Sequence, residues 1–237
     1  MALTLVDATQ NQESSTDPWI QDIPKAVAVG DIVFVAALIA GGTSKLFGTG
    51  FSLNGASTAT VGPWTTIINN WATASPPQIE VALGFAIVQT AGDVVVSADM
   101  NSTRGGRLVV AILRGAATAD IFPVVGVVTR GVGTAPTAAS VAPGKAGDWV
   151  ISVMSHVALA STSTKTSGSI NIATFSSTST FSGNPGFVIE AFEAPDTTPI
   201  AGAPTVSTSV SWTALNLVLS MKPEAILGKT ISRGLYL

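Results

Sequence analysis

His156 is the only histidine in the chain, so any imidazole chemistry must pass through it. It lies in "WVISVMSHVAL", a run of strand formers, where a hydrogen-bonded structural histidine is the expectation rather than a general base. A Ser-His-Asp triad needs a nucleophile at a sharp turn, and no G-x-S-x-G elbow occurs. With no cysteine and one histidine, a zinc site would have only carboxylates to draw on. Gly228–Thr230 reads "GKT", like the end of a P-loop, but Pro223 stands where the first glycine belongs. Asp99 and Asn101 in "DMNSTRGG" have calcium-loop spacing without the closing glutamate, so a polar hairpin turn is expected there. The Asn101 "NST" triplet fits the same turn. The reading is therefore of a chain with no catalytic residues, no metal site and no cofactor.

The five tryptophans are the remaining candidates. Trp64, Trp71, Trp149 and Trp212 adjoin strand-like segments, where core or rim packing is the default role. Trp19 and Trp71 stand in polar surroundings and form the candidate platform for stacking on a sugar ring, although a single tyrosine argues against a sugar-binding face.

The elements that must carry these residues are strands. Of 237 residues, 46% are hydrophobic and only 11% charged, against about 25% charged in an ordinary domain. Small uncharged residues fill the difference, and such a surface enters protein contacts at little desolvation cost. Net charge is −3 with no basic run, which gives no source of attraction for nucleic acid or anionic lipid. The N-terminus lacks a basic segment followed by an apolar core, so no signal peptide is expected. "AVAVGDIVFVAALIAGG", Ala26 to Gly42, is the most apolar stretch, yet Asp31 interrupts it and a spanning helix needs roughly 20 apolar residues. Its β-branched start predicts a strand.

The entry to that strand recurs. "VGD", "AGD" and "AGD" precede strand formers at Asp31, Asp93 and Asp148. Glycine gives the turn its backbone angles and aspartate bonds nearby amides. Further strands are predicted at Thr65–Ile68, Ile79–Gln89, Arg107–Leu113, Val124–Val128, Ser169–Phe175, Gly186–Phe192, Thr205–Ser209 and Leu215–Met221. No segment holds a capped 3.6-residue period, so helix is minor. Ala160–Ser169, "ASTSTKTSGS", reads as a loop, with a threonine-rich strand edge as the alternative.

The expected fold is an all-β antiparallel sandwich, jelly-roll-like, over residues 1–222, with 1–19 as an N-terminal extension. Pro223 ends the last strand, and 223–237 forms a C-terminal arm. Ile226, Leu227, Ile231, Leu235, Tyr236 and Leu237 make that arm too apolar for a free tail and mark it as a partner-binding segment.

The order "VAVGDIVFVAALIA", "PWTTI", "VALGFAIVQTAGD", "RLVVAILRGAATADIF", "GKAGDWVISVMSH" and "WTALNLVLSM" resembles a jelly-roll β-sandwich virion protein of tailed bacteriophages, of the capsid decoration, head-fibre or minor tail type. The resemblance spans roughly residues 20–221. It implies a structural protein of the virion that works through protein–protein contacts, most naturally a decoration or cement protein. The alternatives are a tail or fibre component, and a carbohydrate- or receptor-binding module. The implied partners are the major capsid protein or tail proteins and further copies of the chain, with a trimer as the candidate state. Nucleic acid and membrane are not among them.

Overall fold

The computed structural model describes residues 4–13, 19–40, 50–71, 79–99, 106–157, 161–175 and 186–222. Within them there is no helix, and every named strand pairing is antiparallel. The protein is an all-β sandwich built from stacked sheets.

The first unit runs through β1 (Thr4–Glu13), β2 (Trp19–Val27), β3 (Ile32–Ala40), β4 (Phe51–Leu53), β5 (Thr60–Val61), β6 (Thr65–Trp71), β7 (Ile79–Thr90), β8 (Gly92–Ala98) and β9 (Gly106–Arg114). The chain alternates between two sheets. One has the order β1-β9-β3-β7, with β5 and β6 both on β7; the other is β2-β8-β4. Residues 4–13, expected as an extension, are instead the outer strand of the first sheet, bonded along β9 from Thr4–Arg114 to Glu13–Gly106. The polar sequence "TLVDATQNQE" gave no apolar alternation to read.

The second unit comprises β10 (Val124–Val125), β11 (Thr129–Gly133), β12 (Trp149–Val157), β13 (Ser163–Thr164), β14 (Ile170–Phe175), β15 (Gly186–Glu193), β16 (Thr205–Val206) and β17 (Val210–Leu219). Its main sheet is β17-β12-β15-β14, with β10 and β11 both on β17, and β13 pairs β16 above it. The central strands of this sheet repeat the order of the first unit's main sheet. β12 sits between β15 and β17 as β3 sits between β7 and β9. Even the irregularity recurs: β6 slips against β7 between Thr66 and Ile68, and β14 slips against β15 between Asn171 and Ala173. A bulge fixes register locally, so two bulges at matching positions mark one plan used twice.

The two main sheets pack face to face. Ile32, Phe34, Ala36 and Leu38 of β3 and Val109, Ala111 and Leu113 of β9 meet Trp149, Ile151, Val153, Phe187, Ile189, Leu217 and Leu219. The alternate residues Val33, Val35, Ala37, Leu108, Val110 and Ile112 point the other way, onto Val94, Val96 and Phe51 of the outer sheet. β3 is thus buried on both faces, the physical reason its sequence is an unbroken apolar run. β1 lies near β14, and Ile68 of β6 near Val128 and Arg130 of the β11 edge, so the sheets are stacked in opposite strand order, as under a two-fold rotation. An isolated bridge between Ala116 and Met221 ties the ends of the two last strands together.

The turns that launch β3 and β12 match atom for atom. Gly30 and Gly147 have φ of 85° and 82°, which only glycine adopts freely. Asp31 Oδ2 accepts the Ala28 amide at 2.8 Å, and Asp148 Oδ2 accepts the Lys145 amide at 3.2 Å. The third Gly-Asp departs from expectation. Asp93 is exposed and is held through its backbone, whose N–H donates to Thr58 Oγ1 and whose carbonyl accepts the amides of Thr58 and Ala59.

Candidate functional site

The outer face of the second main sheet carries a row of buried polar side chains. Ser152 on β12 stands between Glu190 on β15 and Asn216 on β17, in direct register with both. All three are buried. The Glu190 carboxylate accepts the Thr166 amide at 2.7 Å, the Thr166 hydroxyl at 2.6 Å and the Ser169 hydroxyl at 2.7 Å. Asn216 Nδ2 donates to the Ala139 carbonyl at 2.8 Å. The row therefore fastens two covering segments onto the sheet, and Gly202 lies so close above Ser152 and Glu190 that a Cβ there would overlap Ser152. Its polar atoms face protein. This is a clamp, not a ligand site.

Four residues further along β12 lies His156. Its Nε2 is 2.8 Å from Ser163 Oγ, its Nδ1 has no hydrogen-bond partner among the described residues, and burial pushes its pKa down to about 4. At neutral pH it is an uncharged ring that either donates to or accepts from Ser163. A serine–histidine pair can in principle activate a hydroxyl, but catalysis needs a carboxylate on Nδ1 and an approach for substrate. His156 is fully buried beneath β13 and opposite Gly186, whose absent side chain leaves room for the ring. The segment 161–169, expected as a loop, is thus in part the short strand Ser163–Thr164 and in part a cover anchored by Thr166 and Ser169. Serine and threonine serve there as hydrogen-bond donors to a buried acid, which composition alone does not reveal.

Trp64 packs on Phe51 with ring centroids 5.9 Å apart, Trp149 is buried in the central core, and Trp212 packs on the outer core of the second unit. Trp19 and Trp71 fall in β2 and β6, but their side chains lie outside the described residues, as do Asn101, Gly228–Thr230 and the arm residues Ile226, Leu227, Ile231, Leu235, Tyr236 and Leu237. Among the described residues no three His, Cys, Asp or Glu side chains gather as a metal site, and no helix is long and apolar enough to cross a membrane.

What the surface does offer is an apolar edge. β10 and β11 are the outermost strands beside β17; Val127 in the link between them and Val132 on β11 are each 75% exposed, with Val124 and Val125 on β10 partly so. Protected sheet edges carry lysine, proline or inward charges; between Val124 and Gly133 this edge has a single charge, Arg130. Sequence reading placed a strand at Val124–Val128 and saw no site in it, because nothing in the residue types separates a valine facing a core from one facing outward. No family model, curated protein or solved structure matches the chain.

Proposed function

We propose that the protein is a structural building block of a tailed-phage virion, a capsid decoration, cement or head-fibre protein that acts through protein–protein contacts and catalyses nothing. The observation that carries this reading is the valine-bearing edge at β10 and β11 in a chain otherwise poor in charge. An outer strand with exposed valines offers backbone bonds and apolar area together, the two things strand-addition contacts use. We read the strand order β1-β9-β3-β7 over β2-β8-β4 as jelly-roll-like, which supports the same resemblance. The C-terminal arm, 223–237, is the second proposed contact, reaching the major capsid protein or a neighbouring copy.

The test is incorporation. Val127→Lys with Val132→Lys is expected to leave the melting temperature within a few degrees of the parent while incorporation into heads falls severalfold. Removal of residues 224–237 is expected to do the same. Normal incorporation of both variants overturns the reading. Recovery of the protein with tails instead of empty heads assigns it to the tail or fibre.

A further inference from the structure

A groove opens where the two units join, beside the connection that follows β9. Its volume is about 470 Å³, within the range of small-molecule sites, which favour such junctions. Ile67, Phe85 and Phe122 form an apolar floor, the two rings tilted at 58° with centroids 5.2 Å apart. Thr66, Thr118 and Asp120 stand on the rim, all exposed. Asp120 has φ of 49°, the one non-glycine residue with positive φ among those described. Strained backbone of this kind concentrates at functional positions. Among the described residues no hydrogen bond or ion pair engages its carboxylate, so the strain serves no internal contact.

We propose that this groove binds a neutral saccharide of one or two rings. The chemistry selects the class. A pyranose has a face of C–H groups to lie on aromatic rings, whose faces are electron-rich. It also has a fringe of hydroxyls, which donate to a carboxylate and exchange bonds with threonines. The described lining residues include no lysine or arginine, so among them a carboxylated or sulfated sugar meets only the repulsion of Asp120. Neither Trp19 nor Trp71 is among its described lining residues, and it meets the valine edge only at Val125.

The full-length protein is screened on an array of neutral, sialylated and sulfated glycans, and the best neutral ligand is titrated as the free sugar. Retention of neutral glycans and rejection of acidic ones is expected. Asp120→Gly tolerates the positive φ and removes the carboxylate; it should weaken affinity at least tenfold with the melting temperature unchanged. Thr118→Val should weaken it a fewfold, and Trp19→Ala and Trp71→Ala should leave it unaltered. The proposal is overturned if no neutral glycan is retained, if acidic glycans bind better, or if Asp120→Gly binds like the parent. Loss of binding in Trp71→Ala alone overturns it equally, since it places the sugar elsewhere.

Discussion

The two units solve one packing problem in opposite ways. In the first, the row Val35, Gly84 and Val110 crosses three strands in register, and the Phe51 ring sits where a Cβ on Gly84 would come within 2.6 Å of it. In the second, the matching row is Ser152, Glu190 and Asn216. One cover is held by an aromatic ring filling space, the other by a buried carboxylate collecting three donors. Topology therefore does not dictate how an outer layer is attached. What it requires is that most polar groups buried there find a partner, and here Asn216 Oδ1 and His156 Nδ1 are exceptions among the described residues. An apolar cover loses stability in proportion to volume removed, whereas a hydrogen-bonded cover loses it all at once when the shared acceptor goes.

The sharpest way to break that contrast is Glu190→Ala. Three donors lose their acceptor in a buried site, and the expected cost is about 4 kcal/mol, read from urea unfolding. Val110→Ala in the first unit removes only packing and should cost about 2 kcal/mol. If the valine change proves the more harmful, the contrast between the covers is wrong.

Acid should separate the units next. His156 has its pKa pushed down to about 4 by burial, below the ordinary 6.5. The unfolded chain therefore binds this proton more readily than the folded one. The neutral ring's contribution is complete above pH 6.5 and is lost as pH falls toward 4, by about 3 kcal/mol. His156→Gln should flatten this part of the pH–stability curve, and the loss should appear as faster amide exchange around β13 and β16 before β4 and β8. An unchanged slope in the variant would show that other groups govern acid lability.

A smaller effect is expected at the paired turns. Asp31 takes Arg114 in two bonds, at 2.8 and 2.7 Å, and this pairing raises the arginine's pKa. Asp148 instead accepts the Met221 amide at 3.1 Å, with Lys145 Nζ at 3.9 Å. Because Arg114 is half exposed, Asp31→Ala should cost only about 2 kcal/mol, and Asp148→Ala about the same. Salt should weaken the first tie more than the second. Smallest of all, Asp93→Ala should change stability by less than about 0.5 kcal/mol, since its side chain holds nothing in the turn.

These cases show what the sequence made legible. Runs such as Ile32–Ala40 and Leu108–Leu113 announced strands covered on both faces, and the Gly-Asp entries to β3 and β12 were read with their bonds. The third Gly-Asp looked the same and was not, because the dipeptide records a turn but not which atoms close it. β1 and β2 escaped notice because their polar residues show no alternation. The repeat of the fold was hidden for the reason the units differ: Ser152, Glu190 and Asn216 occupy the positions of Val35, Gly84 and Val110, so matching strands do not look alike. The Asp120 groove joins segments about 50 residues apart, and no local pattern could signal it.

The face-to-face stacking of the sheets has a consequence for synthesis on the ribosome. All strands of the first unit have emerged by Arg114, so its outer core can close early, but the face bearing Ile32, Phe34 and Leu38 waits for β17. At about 5–20 residues per second, that oily face stays uncovered for on the order of 5–20 seconds. During that interval a second nascent chain offers a surface much like the missing one, related by the same rotation that joins the units. Pulse-labelled chains stalled shortly after the first unit should therefore pair with one another or recruit a chaperone, and completed chains should do neither.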